Sequence, residues 1–114
     1  MPEGPWRAAG TAATAVGLAA ALAPGRTTRL FGLAPPDGAA RIAWRMFGIR
    51  TAAVGAGIVT GSADARRLLL PVQALDQAVF VAAGLSGAVP RRSAVGLCAT
   101  SWVLVLLGLA ARRR

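Results

Sequence analysis

The chain has 114 residues, of which 55% are hydrophobic and 15% charged, with thirteen arginines, four acids, no lysine, no histidine and a net charge of +9. An average soluble domain carries about 25% charged residues and disordered chains are poor in apolar ones, so this balance excludes disorder, and the length argues against two soluble domains. The single cysteine, Cys98, excludes an internal disulfide, and with no histidine the usual zinc, haem and iron–sulfur ligand sets and every His-dependent nucleophile are excluded as well. No cofactor and no metal are expected.

The predicted elements follow in chain order. The first apolar run, residues 7–23, is rich in alanine and ends at Pro24-Gly25, a helix stop. A signal sequence is the alternative reading, since Arg7 precedes the run and Ala21-Leu22-Ala23 imitates a cleavage site. Pro24 after the cut and three further apolar runs favour a membrane helix. Residues 24–38 read as a loop, because Pro35-Pro36 and Asp37-Gly38 are turn formers. Its apolar middle, Leu30 to Leu33, suits a membrane surface.

The second run, residues 39–61, is long enough at 1.5 Å per residue to cross a ~30 Å hydrocarbon core. It carries Arg41, Arg45 and Arg50. The third, residues 68–89, has Pro71 in its first turn, where proline is tolerated, followed by Gln73, Asp76 and Gln77. The fourth, residues 93–111, is the cleanest and ends in Arg112-Arg113-Arg114. Four spans with short connections predict one all-α domain over residues 1–114, a polytopic transmembrane four-helix bundle. Small residues spaced by four, Ala13/Gly17/Ala21, Ala52/Ala56 and Gly96/Thr100, are expected to form the helix contacts.

The arginines fall mostly between the apolar runs. That is the pattern of a multi-pass protein of the cell membrane, not of a nucleic-acid face with interleaved aromatics, so no nucleic-acid partner is expected. With four spans both termini lie on one side, and the arginine bias favours the cytoplasm for them.

Asp76 is the one acid inside a predicted span, where a charge costs at least ~2.5–3.5 kcal/mol. Gln73, Asp76 and Gln77 stand at i, i+3 and i+4 and share one helix face, which is expected to look inward. Counted from the turn between the second and third runs, Arg50 and Asp76 sit at one depth, ~14–15 Å from the surface. We therefore expect a buried Arg50–Asp76 ion pair. Arg41 and Arg45 are four apart on another face. They are read as interfacial snorkelling side chains or, with Trp44 in the aromatic belt, as an anion site for a phosphate or carboxylate headgroup.

The layout resembles the small four-helix membrane families of unknown function, in the neighbourhood of DoxX-like proteins. The residues behind this are Arg29-Leu30-Phe31-Gly32-Leu33, the R-x-x-G-x-R string from Arg45 to Arg50, and Gln73-Ala74-Leu75-Asp76. The resemblance implies a membrane location and a four-helix bundle and supplies no reaction. Small multidrug transporters fit less well, because they use an acid in the first helix, and the motifs of dual-topology fluoride channels are not evident.

Three functional classes follow. The first is a non-enzymatic module, accessory or binding lipid or a lipophilic or anionic small molecule, with Gln73, Gln77, Trp44, Arg41 and Arg45 as contacts. The second is a membrane-embedded enzyme, an isomerase, cyclase or epoxide-opening catalyst, with Asp76 as acid or base and Arg50 supporting it. The third is a proton- or anion-coupled transporter built as a homo-oligomer.

Overall fold

A computed structural model describes residues 4–113. It is all-α, with α1 (Gly4–Leu22), α2 (Pro24–Leu30), α3 (Gly38–Val59), α4 (Ala63–Ser86) and α5 (Arg91–Arg112). Three helices, α3, α4 and α5, are each long and apolar enough to cross a membrane. A fourth crossing arises only if α1 and α2 count together as one bent span.

The expected loop over residues 24–38 is corrected in its first half, which is helix α2. Pro24 stops α1 but also starts α2, because its fixed φ suits the first helical position and its missing N–H is not needed there. The chain turns by 113° at this break. Thr27 covers carbonyls at the break: its Oγ1 lies 3.0 Å from the Ala19 oxygen and 2.9 Å from that of Ala23. Both carbonyls also accept backbone N–H groups, Ala19 from Ala23 and Ala23 from Thr27, each at 2.9 Å, so the hydroxyl adds a second contact that ties the start of α2 to the end of α1.

Helices α3 and α4 start on side-chain caps. The Asp37 carboxylate accepts from the Ala40 N–H at 2.8 Å, and Ser62 Oγ accepts from the Ala65 N–H at 3.2 Å. The second cap starts α4 at Ala63, earlier than the apolar run suggested. Arg66 and Arg67 are therefore helical, and Pro71 lies inside the helix rather than in its first turn. Gly87, at φ 80°, ends α4 in the left-handed conformation that suits glycine.

The helices pack in the cyclic order α3, α1, α5, α4, with α1–α3 the tightest contact and α3–α4 the loosest of the four. The α1–α3 seam is built on glycines seven apart. Gly10 faces Gly55 and Gly17 faces Gly48, which fixes an antiparallel register. A Cβ on Gly17 would overlap the Ala52 amide and the Gly48 carbonyl, and one on Gly55 would lie 2.5 Å from the Thr14 nitrogen. Of the small-residue stripes expected, Gly17, Ala21 and Ala52 join this seam, whereas Gly96 lies against the Phe31 ring, 3.3 Å from where its Cβ would be.

Antiparallel neighbours put the N-terminus of α1, the α3–α4 turn and the C-terminus of α5 at one end. Trp6, Ala9, Val54, Ile58, Ala65, Leu69 and Ala111 form a core there. Arg7, Arg66, Arg67, Arg112 and Arg113 lie at this end, and Arg26, Arg29, Arg41, Arg45, Arg91 and Arg92 at the other. Arg41 and Arg45 thus join the bend end. Outward faces are apolar along the long helices, with Ile42, Met46, Ile49, Leu75, Val79, Val95 and Leu106 all exposed.

Candidate ligand groove between α3 and α4

The loose α3–α4 contact follows from side-chain size. Where α1 meets α3 through glycine, α4 meets it through Trp44, Phe47 and Phe80. Phe47 stacks edge-on with Trp44 at 6.0 Å and packs against Phe80 at 6.3 Å. These rings hold the helices apart and leave a groove of ≈ 390 Å³. It runs from Leu33, Ala40 and Val89 at the bend end to Arg50 and Asp76 at its inner limit.

At that limit Arg50 Nη2 donates to Asp76 Oδ1 at 2.6 Å. The pair is not the enclosed one expected from the sequence. The Asp76 side chain is 8% exposed, whereas that of Arg50 is 44% exposed. The guanidinium also lies over the Phe47 ring, 5.4 Å from its centroid, a cation–π contact that holds its stem against α3. The second carboxylate oxygen, Asp76 Oδ2, is buried and has no hydrogen-bond partner among the described residues. An enclosed carboxylate oxygen without a donor is costly.

The two glutamines do other work. Ser101 Oγ donates to Gln73 Oε1 at 2.7 Å, and Gln77 Nε2 donates to the Cys98 carbonyl at 3.0 Å. Both therefore tie α4 to α5 instead of standing in the groove beside Asp76. Gln73 also lines a small interior cavity of ≈ 30 Å³ with Thr27, Thr100 and Ser101, room for about one water with polar partners at hand. Trp44, Phe47 and Phe80 line both this cavity and the groove, so they form the wall between them.

Arg41 and Arg45 are not brought to Arg50. They line a different concavity, of ≈ 510 Å³, at the α1–α2 bend, where Arg26 and Arg29 join them. Trp44 belongs to the groove and not to this arginine group. Sequence reasoning missed Phe47 and Phe80 as lining residues. The signal was present: Phe47 precedes Arg50 by three and Phe80 follows Asp76 by four, spacings that put ring and charge on one helix face. Arg26 and Arg29 were missed because a loop reading gives them no fixed neighbours.

No protein-family model, curated protein or solved structure matches this chain. The likeness to DoxX-like proteins is thus one of layout and short motifs alone.

Proposed function

We propose that the protein is a polytopic membrane protein, with the α1–α2 pair as one bent element of a four-part bundle, and that it binds a lipophilic molecule in the α3–α4 groove. The molecule lies along Trp44, Phe47 and Phe80 and donates a hydroxyl or N–H to Asp76. One observation carries the reading: Asp76 Oδ2 is enclosed and unpartnered at the inner end of an aromatic groove. Arg50 holds the other oxygen and so fixes the orientation of the carboxyl group while Oδ2 accepts. The apolar outer faces of α3, α4 and α5 support the membrane setting.

The test is native mass spectrometry of protein purified from membranes, for co-purifying apolar molecules. The parent should retain a protic lipophile, and Ala83→Leu, which narrows the groove, should weaken its retention. Equal retention by both proteins overturns the reading.

A second reading uses the same oxygen as a base toward a bound lipophilic substrate, with Arg50 facing the negative charge that develops. Asp76→Asn separates the two. It keeps an acceptor oxygen, so binding persists at reduced affinity, while any turnover of the co-purified molecule is abolished.

A further inference from the structure

At the α1–α2 bend, four arginines from two helices line one concavity. Arg26 and Arg29 come from α2, and Arg41 and Arg45 from the first two turns of α3. Within each helix the two are spaced by three or four, an arrangement in which like charges repel. Among the described residues none of the four has an acidic partner within ion-pair distance. The arginines at the opposite end are placed differently. There Arg67 pairs with Asp64 at 3.3 Å, and Arg66 lies over the Trp6 ring, 4.9 Å from its centroid. Among the described residues, Arg66 and Arg67 thus meet partners within the chain, whereas the four arginines at the bend share one concavity without an ion pair.

We propose that this concavity binds a phosphate-bearing anion. Guanidinium groups are planar, stay charged at all relevant pH and grip phosphate oxygens two at a time. Four of them around one hollow provide more donors than a carboxylate can accept, and they suit a group with three free oxygens. The remaining lining residues, Leu22, Ala23, Pro24 and Gly25, supply no competing acid. The anion comes either as a lipid headgroup or as free phosphate. The headgroup source rests on the membrane setting proposed above and the free-phosphate source does not. In that setting the hollow lies where α1 ends and α3 begins, at headgroup level.

The experiment compares three proteins in a neutral detergent: the parent, Arg41→Gln with Arg45→Gln, and Arg112→Gln with Arg113→Gln. The last loses the same charge at the opposite end. Phosphatidic acid and phosphatidylcholine are titrated separately and bound lipid is counted by native mass spectrometry. Inorganic phosphate is added alone and thermal melting is followed. For a headgroup, the parent and the Arg112/Arg113 variant prefer phosphatidic acid, and the Arg41/Arg45 variant loses about tenfold or more in affinity. For free phosphate, the melting temperature rises in the parent and the Arg112/Arg113 variant and not in the Arg41/Arg45 variant, with no lipid preference. If the Arg41/Arg45 variant fails to fold, Arg26→Gln with Arg29→Gln replaces it, with the same expectation. Two results overturn the proposal: a parent that responds to neither anion, and an equal loss in variants at both ends. A protein that does not associate with membranes yet responds to phosphate sinks the membrane reading and leaves this site standing.

Discussion

Helix α3 meets two long helices, α1 and α4, in opposite ways. Toward α1 it shows Gly48 and Gly55, and the backbones touch. Toward α4 it shows Trp44 and Phe47, and a groove of ≈ 390 Å³ remains. The backbone of α3 is regular helix on both sides, so side-chain volume alone decides which seam closes and which stays open. In a membrane this matters more than in water, since lipid tails are as apolar as the helix faces and close packing must supply the association.

The largest expected effect breaks the closed seam. Gly17→Val places new atoms into the Ala52 amide and the Gly48 carbonyl, neither of which is a movable side-chain end. A loss of at least about 3 kcal/mol is expected in unfolding by denaturing detergent, above the usual range for overpacking. An unchanged transition would show that α1 and α3 do not touch. The next effect tests the charge at the open seam. Arg50→Gln leaves the enclosed Asp76 carboxylate without its cation, which should cost about 2 kcal/mol, less than the ~3–5 kcal/mol of a fully enclosed pair because Arg50 is half in the open. Asp76→Asn leaves only a half-exposed guanidinium and should cost less. The reverse order in the same unfolding assay would contradict the lopsided burial of the pair.

Ser101→Ala should cost about 1 kcal/mol, one hydrogen bond to Gln73, and should loosen α4 from α5 without touching the groove. The smallest effect sharpens the comparison most. Ala83→Leu adds three carbons on the open side, where Gly17→Val adds three on the closed one. A change within ~0.5 kcal/mol is expected, as for a surface site, and a large destabilisation would mean that the groove is not free space.

Much of the scaffold was legible because apolar runs and depth counting need only helical rise. Counting levels on two antiparallel helices brought Arg50 and Asp76 together, and their atoms lie 2.6 Å apart. What depth cannot give is rotation about the helix axis. Gln73 and Gln77 share a helical face with Asp76 on paper, yet a rotation of α4 turns both toward Ser101 and Cys98 on α5. Trp44 illustrates the same point: its level next to Arg45 suggested a shared interfacial role, while its ring points into the groove. The bend at Pro24 was illegible for a different reason. Proline ends one helix and begins another with equal ease, so Pro24-Gly25 read as a stop hides the second helix that starts at the same residue.

The groove is lined from Arg50 and Asp76 at one end to Ala40 and Leu33 at the other. Ala40 and Arg50 are ten residues apart on α3, which at 1.5 Å each is ~15 Å. For a ligand of the proposed kind this distance works as a length gauge. A molecule anchored on Asp76 and shorter than ~15 Å leaves apolar wall uncovered, and a longer one emerges past Leu33 toward the arginine end. Selection among ligands would then depend less on the shape of the head than on how far the tail reaches.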